Sequence, residues 1–474
     1  MDPQLELEKV IHFIGIAGSG MSPLAEISIF QGYQVSGSDL YESNVTKRLQ
    51  RLGAKLFLGQ SPDHLPSNAT VVISSAIEDS NVELQAAKNQ NLRVIHRSDL
   101  LVILSRSKKL ITVAGSHGKT TTTAMIAHML HELGLAPTAA IGGIVESFES
   151  SALTGDGEYF LAEADESDGT FLKFNPYISI LTNADVDHLD FWKDEEELHK
   201  AFFNYLKNTD EEGNIIVCWD NRGSYLIGSE SKSMNRLSYG FRIGCDIRAI
   251  NWEGKGHTTT FSAMIDKTPV TVNIPAIGQH NVLNALCALT VAQALELNVQ
   301  EAAESLSRFS GVKRRMSLVF SNHKFKVYDD YAHNPGKISA CIKGLKNAWP
   351  SQSLIVLFQP HRFSRLRTLY NEIISSFTEA DSVFIFPVYH AGEPVDKNFS
   401  GTQLASDIAH HSKTTATYSE EFDQFLEKSL RIINKPTTIL TVGAGDIWKL
   451  TEKIGSILNG EKEIEKKHLG GTKT

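Results

Sequence analysis

The stretch TVAGSHGKTTTTAMIAHML, residues 112–130, decides how this chain is read. It has the form of a phosphate-binding loop, yet five places before Gly118 stands Val113, where the common G-x-x-x-x-G-K-[ST] pattern has glycine. The flanking residues resolve the question. LITVA (110–114) is a short apolar run suited to a buried strand, and Met125, Ile126, Met129, Leu130 and Leu133 recur at helical spacing. Gly115-Ser116-His117-Gly118-Lys119-Thr120 therefore lies where a strand turns into a helix, and there the first N–H groups and the helix dipole face an incoming anion. Glycines let the backbone approach phosphate oxygens, Lys119 reaches the outer phosphates, and the Thr120 hydroxyl suits Mg²⁺. An isolated Gly-Lys pair is commonly a surface turn. The strand before this one, the helix after it and four successive threonines set it apart.

The whole chain sets limits on what that loop serves. Its 474 residues exceed one typical core, and 41% hydrophobic with 21% charged residues is ordinary for a soluble globular protein. With 46 basic and 55 acidic residues the net charge is −9, which argues against a general affinity for nucleic acid or anionic membrane. Phosphorylated ligands must then be held by local positive groups. The start, MDPQLELEKV, lacks a basic-then-apolar signal layout, and no apolar run approaches the ~20 residues of a membrane span. Cys218, Cys245, Cys287 and Cys341 form no C-x-x-C pair and read as reduced, mostly buried thiols of a cytoplasmic protein. The charged tail after Gly460, EKEIEKKHLGGTKT, is expected to be loose.

Strand-like and helical stretches alternate along the chain in three segments. VIHFIGIA, YQVSGSD, KLFLG and TVVISSA lie in the first. A second begins at Leu110, contains a β-rich insert near 234–276 and runs through a helix at 280–297 to about residue 316. The third carries KVYDDYA, SLIVLF, SVFIFPV, TTATY and TTILTVGAG, each followed by a helical stretch. The expectation is an α/β protein of three domains (1–107, 108–316, 317–474), each a mostly parallel doubly wound sheet.

Several stretches carry chemistry. GIAGSGMS (15–22) ends the first strand with Gly15, Gly18 and Gly20 before a helix, which suits a pyrophosphate at a helix N-terminus. Asp39 ends the second strand and can accept hydrogen bonds from a ribose or base, or act as a turn aspartate. In YFLAEADESDGTFL (159–172), Glu163 is the first choice as an Mg²⁺-binding carboxylate, with Asp165, Glu166 and Asp168 as bystanders or outer-shell groups. His188, between Asp187 and Asp190, can be oriented by a carboxylate and offer its free nitrogen to a metal. His280, Asn281 and Asn284 open a helix; the two asparagines share a face and suit a purine edge or a phosphate. GVKRRMS supplies Arg314 and Arg315 at the boundary, and Arg362 and Arg365 stand three apart at a helix start, as a carboxylate or phosphate clamp requires.

In this order, Gly115–Thr121, EADESD, TNADVDH, HNVLN, RR, DDYAHNP and QPHRFSR resemble the Mur ligases, ATP-dependent amide ligases that build the peptide stem of peptidoglycan. The likeness spans nearly the whole chain, and the shortened loop is that family's form of the P-loop. GIAGSGMS, GYQVSGSD and FQPHRFSR are most similar to the branch that joins L-alanine to UDP-N-acetylmuramate. The resemblance implies a domain for the UDP-sugar, a central ATPase, and a C-terminal domain that closes over ATP and the amino acid. It implies that Gly18, Ser19, Gly20, Met21 and Ser22 hold the UDP pyrophosphate and that Asp39 approaches the uracil. Gly115, Ser116, His117, Gly118, Lys119, Thr120 and Thr121 would cradle ATP, served also by His280, Asn281, Asn284, Arg315 and Asp330. Thr120, Glu163 and His188 would ligate Mg²⁺, while Arg362 and Arg365 face the substrate, so that Lys119, Glu163, His188, Arg362 and Arg365 form the catalytic set. Small-molecule partners only are implied, with the protein a monomer or homodimer.

Two stretches depart from the family pattern. Tyr331-Ala332-His333-Asn334-Pro335 replaces Tyr-Gly-His-His-Pro, and HKAFFNYL has phenylalanine near the point where sister ligases carry a carbamylated lysine. The rival readings are a sister ligase adding a preformed peptide to the same sugar nucleotide, a folate-type glutamate ligase, an NAD oxidoreductase and a P-loop switch. The last two leave, respectively, the ATP loop and the UDP-type first domain without a purpose.

Overall fold

The apolar run VIHFI forms the first strand because nearly every side chain in it is buried, as a parallel strand covered on both faces requires. The computed structural model describes residues 7–186, 191–231, 235–422, 425–426 and 433–469. Strands β1 (Val10–Ile14), β2 (Gln34–Asp39), β3 (Lys55–Leu58), β4 (Ala69–Ile73) and β5 (Arg93–His96) pair in the order β3-β2-β1-β4-β5, all parallel. The order reverses between β1 and β4, so the glycine loop after β1 lies at a topological switch point. The helix that follows, Ser22–Phe30, carries Pro23 in its first turn, where the missing N–H costs nothing.

The second sheet comprises β6 (Lys109–Ala114), β7 (Thr138–Val145), β8 (Ser150–Leu153), β9 (Tyr159–Glu163), β10 (Ile178–Leu181), β11 (Asn214–Cys218), β12 (Arg236–Gly240), β13 (Ile247–Lys255), β14 (Thr258–Ile265) and β15 (Thr268–Ile274). Among the described residues its order is β15-β14-β13-β12-β11-β10-β6-β9-β7-β8. β6 pairs in parallel with β9 on one side and β10 on the other. The loops after these three strands therefore open at one edge, which is what positions the site. Beneath them Tyr205 of the helix Glu195–Lys207 is fully buried, and its hydroxyl meets Thr112 Oγ1 at 2.7 Å. One apolar core runs without a break from the first sheet (Ile11, Leu24, Leu100) into the second (Phe160, Phe171, Phe202).

The third sheet holds β16 (Ser317–Ser321), β17 (Phe325–Asp330), β18 (Ser353–Phe358), β19 (Ser382–Ile385), β20 (Thr415–Tyr418) and β21 (Thr437–Val442), ordered β16-β17-β21-β18-β19-β20. Only the β16–β17 pair is antiparallel. Two apolar clusters serve it, one around Ile338, Leu345 and Phe377 and one around Phe386, Ile447 and Leu450.

The chain divides into two compact units: Met1–Trp252 with Phe261–Ile274 and Val282–Val312, and Glu253–Thr260 with Pro275–Asn281 and Lys313–Thr474. The first contains the first sheet and most of the second. The expected α/β architecture with three mostly parallel sheets is present, with differences in detail. RVIH is a strand although its residues are all half-buried, because β4 supplies a parallel partner for it. The β-rich insert is the strands β12–β15, which lengthen the second sheet. The helix Trp448–Leu469 continues past Gly460, in keeping with a run of Glu, Lys and Leu that favours helix.

Candidate active site

β6 ends at Ala114, and the loop turns sharply at Gly115, whose φ of +129° lies outside the range of L side chains. A Cβ there would stand 2.3 Å from Thr182 Oγ1. Thr182 and Asn183, just past β10, clamp the loop: Thr182 Oγ1 and Asn183 Nδ2 donate to His117 O at 2.7 and 2.8 Å, and His117 N donates to Asn183 Oδ1 at 2.8 Å. Ser116 Oγ donates to Asp185 O at 2.6 Å. The helix Lys119–Glu132 starts directly from this clamped loop, so its first amides emerge at the strand edge.

Lys119 Nζ lies 2.7 and 3.0 Å from the two carboxylate oxygens of Glu166 and donates to Gly115 O at 2.8 Å. The Glu166 side chain is fully buried and that of Lys119 is 15% exposed. Burial pushes Lys119 down, but Glu166, with Asp165 behind it, outweighs burial and holds the ammonium above the ordinary lysine range. At the next residue, Thr120 Oγ1 donates to Glu163 Oε2 at 3.1 Å, and Gly142 N donates to Glu163 Oε1 at 2.6 Å. Among the described residues no group of three or more His, Cys, Asp or Glu is placed to hold a metal. The Thr120 hydroxyl and Glu163 carboxylate are hard oxygen donors side by side. They fit Mg²⁺, which needs one or two protein oxygens beside phosphate and water. His188 lies outside the described residues.

Asn284, in the helix Gln279–Ala294, accepts a hydrogen bond from Thr122 Oγ1 at 3.0 Å and so adjoins the P-loop helix. Asn281 belongs to the other compact unit, where its amide donates to Ile277 O at 2.8 Å. Beside it burial lowers the pKa of His280, against the pull of Asp330. At the first sheet Asp39 Oδ2 accepts from Ala17 N at 2.9 Å, which ties the end of β2 to the glycine loop.

In the second unit Asp330 Oδ2 accepts from Met316 N and its Oδ1 from Ala332 N, both at 2.7 Å. These bonds hold a segment in which Arg314 and Met316 have φ of +61° and +50°. Arg315 lies over the Tyr331 ring at 5.4 Å. Arg362 has φ +66°, held by its N–H to Tyr389 O at 2.9 Å, and Arg365 Nη1 lies 3.1 Å from His361 Nδ1. Strain of about 1–3 kcal/mol per such residue persists only where surrounding bonds impose it, and it gathers at functional sites. Burial and then the Arg365 guanidinium hold His333 down to about 3 and His361 to about 4. Both rings are neutral at pH 7.

The structure thus gathers Lys119, Thr120, Glu163 and Asn284 in one unit and Arg315, Asp330, Arg362 and Arg365 in the other. It also reveals groups that the sequence left in the background. Glu166 is the partner of Lys119, not a bystander in the acid run. Thr182 and Asn183 fix the loop, and His333 and His361 adjoin the arginine pair. Cys218, Cys287 and Cys341 are buried, and all four cysteines are free thiols.

Three family models match the chain in succession: Mur ligase family, catalytic domain, over residues 10–109; Mur ligase middle domain over 113–292; and Mur ligase, glutamate ligase domain, over 314–445. The UDP-N-acetylmuramate–L-alanine ligase of Geotalea uraniireducens (strain Rf4) is 38% identical over 460 residues, covering 96% of this chain and 99% of its own. Its namesake from Endomicrobium trichonymphae is 38% identical over 450 residues, covering 94% and 98%. The crystal structure of the UDP-N-acetylmuramate–alanine ligase of Thermotoga maritima superposes with a TM-score of 0.81 at 28% identity, over 96% of this chain and 100% of that one. A murein peptide ligase from Psychrobacter arcticus shares the fold at a TM-score of 0.68 and 24% identity, over 94% and 97%.

Proposed function

The chain belongs to the Mur ligase family, and from that premise we propose that it joins L-alanine to the carboxylate of UDP-N-acetylmuramate through an acyl phosphate, releasing ADP and phosphate. It is an ATP-dependent amide-forming ligase, and the product belongs to peptidoglycan precursor synthesis. The observation that carries the mechanism is the meeting, at one edge of the second sheet, of the P-loop lysine and threonine with carboxylates from 163–166.

In this reading residues 1–107 hold the UDP-sugar, 108–316 hold ATP, and 317–474 supply groups for the amino acid. The amides of Gly115, Ser116, His117, Gly118, Lys119, Thr120 and Thr121 cradle the triphosphate. His280, Asn281, Asn284, Arg315 and Asp330 serve the nucleotide. Lys119 exchanges Glu166 for the β- and γ-phosphates and offsets the charge spread over the moving phosphoryl group. Thr120, Glu163 and His188 would hold Mg²⁺, which supplies further neutralisation of that charge. The substrate carboxylate oxygen attacks the γ-phosphorus and ADP leaves. The unprotonated amine of L-alanine then attacks the acyl carbon, the tetrahedral intermediate expels phosphate, and the amine proton is lost. Arg362 and Arg365 face the carboxylates of this second step. Gly18, Ser19, Gly20, Met21 and Ser22 take the pyrophosphate, and Asp39 takes the uracil.

A nucleotide-sugar substrate and ATP place the reaction in the cytoplasm, and no helix among the described residues is long and apolar enough to cross a membrane. The test measures ADP and phosphate release with each substrate omitted in turn. Release is expected only when both UDP-N-acetylmuramate and L-alanine are present. Turnover with a preformed tripeptide in place of alanine would transfer the assignment to the sister activity.

A further inference from the structure

A diphosphate bound at residues 18–22 meets fewer free backbone donors than the glycine pattern suggests. Gly18 N is bonded to Gly15 O at 3.1 Å, and Met21 N and Ser22 N both go to Gly18 O at 2.9 Å. Pro23 has no N–H, and the helix Ser22–Phe30 has no side-chain cap. In a chain of net charge −9, two phosphate charges at this point call for a cation.

One guanidinium is in position. Arg97 opens the helix Arg97–Ser105 directly after β5 and lies against the glycine loop. A Cβ on Gly20 would stand 2.9 Å from its Nη1 and 3.2 Å from its Cδ and Cζ, so a larger residue there would push the guanidinium aside. Other cations of this unit are already held: Arg48 Nη2 by Glu26 at 2.9 Å, and Lys173 by Asp99 at 2.6 Å. Among the described residues the only ion pair of Arg97 is to Asp165 Oδ2, 3.9 Å from Nη2 and beyond hydrogen-bond length. Its side chain is 27% exposed. A guanidinium in that setting has a planar fork of donors to spend on a phosphate.

We propose that Arg97 is the cation of the sugar-nucleotide site, donating to the diphosphate held by residues 18–22. Asp165 steadies it without consuming its donors. The assignment rests on the proposed alanine-ligase reading and adds to it the residue that recognises the diphosphate.

The test uses the full chain with Arg97→Met, which keeps the apolar stem, and Arg97→Lys. Arg97→Met is expected to raise KM for UDP-N-acetylmuramate about 10- to 100-fold, the span for a lost charge-assisted hydrogen bond. KM for ATP and the thermal midpoint stay put. Arg97→Lys recovers part of the loss, as a point charge without the fork does. UDP as a competitive inhibitor weakens in step with the substrate, whereas inhibition by uridine is unchanged. An unmoved KM in an active Arg97→Met enzyme overturns this assignment and leaves the alanine-ligase reading intact. So does an equal rise in KM for ATP with a lower thermal midpoint, which marks a packing role. A wild-type enzyme without turnover on the sugar nucleotide sinks both.

Discussion

Replacing Glu166 by Gln tests whether Lys119 is held in reserve by a buried carboxylate. At 2.7 and 3.0 Å the pair has a gross attraction of ~6 kcal/mol at an effective dielectric of about 20. Desolvation of two buried charges cancels much of it, and removing one partner of a buried pair costs about 3–5 kcal/mol. Gln keeps one acceptor for Lys119, so the low end applies, about 3 kcal/mol. For a domain of this size that corresponds to a fall of roughly 5–10 °C in the transition of the first unit. Lys119→Met should cost a similar amount, because Glu166, fully buried, is then left without its cation. The double variant Lys119→Met/Glu166→Gln should return to within about 1 kcal/mol of wild type, since no charge remains to be compensated. Turnover separates the two partners. Glu166→Gln keeps activity, because Lys119 still reaches the phosphates, while every Lys119 variant loses it. The unfolding transition, followed by calorimetry, and ADP release are the two readouts. If the two single losses simply add in the double variant, the pair is not coupled and the exchange of partners at Lys119 is refuted.

Gly115→Ala should raise KM for ATP by about tenfold or more, because its φ of +129° and the 2.3 Å approach to Thr182 Oγ1 force the loop open; unchanged kinetics would refute the clamp. Glu163→Gln keeps an acceptor for Thr120 and Gly142 but drops the charge, so the Mg²⁺ concentration for half-maximal turnover should rise about tenfold, read from a metal titration of activity. His333 has a folded pKa of about 3 against about 6.5 unfolded, so its stabilisation is complete above pH 6.5 and falls as pH drops towards 3. The second unit should therefore lose about 1.4 kcal/mol per pH unit through this group between pH 6 and 4, with His361 acting in the same direction. His333→Gln should flatten that slope in denaturant titrations run at several pH values, and an unaltered slope would place the uptake elsewhere.

The P-loop was legible because its signal is local: an apolar strand, glycines, lysine and a helix follow one another within twenty residues or so. The partner of Lys119 was not. Asp165, Glu166 and Asp168 are alike in type, and which one faces the lysine depends on the turn after β9, where Gly169 N and Trp192 Nε1 both donate to Glu166 O. Strand β5 escaped notice because none of its residues is fully buried and its pairing partner in β4, Thr70 opposite Arg93, is remote in sequence. Arg97 was silent for a related reason. Its meaning comes from a space that Gly20 leaves, and no spacing rule connects positions 20 and 97.

The second unit is not made from one continuous length of chain. Ile277 lies in the same apolar cluster as Tyr328, Ile338 and Leu345, and His257 Nδ1 meets the Tyr328 hydroxyl at 2.6 Å. Residues 253–260 and 275–281 therefore leave the ribosome before the strand and helix they pack against have been made. A fragment starting at Lys313 would expose the apolar surface that Ile277 covers and leave the Tyr328 hydroxyl without its histidine. It should aggregate in expression trials, whereas adding back the 253–281 stretch through a short linker should render it soluble.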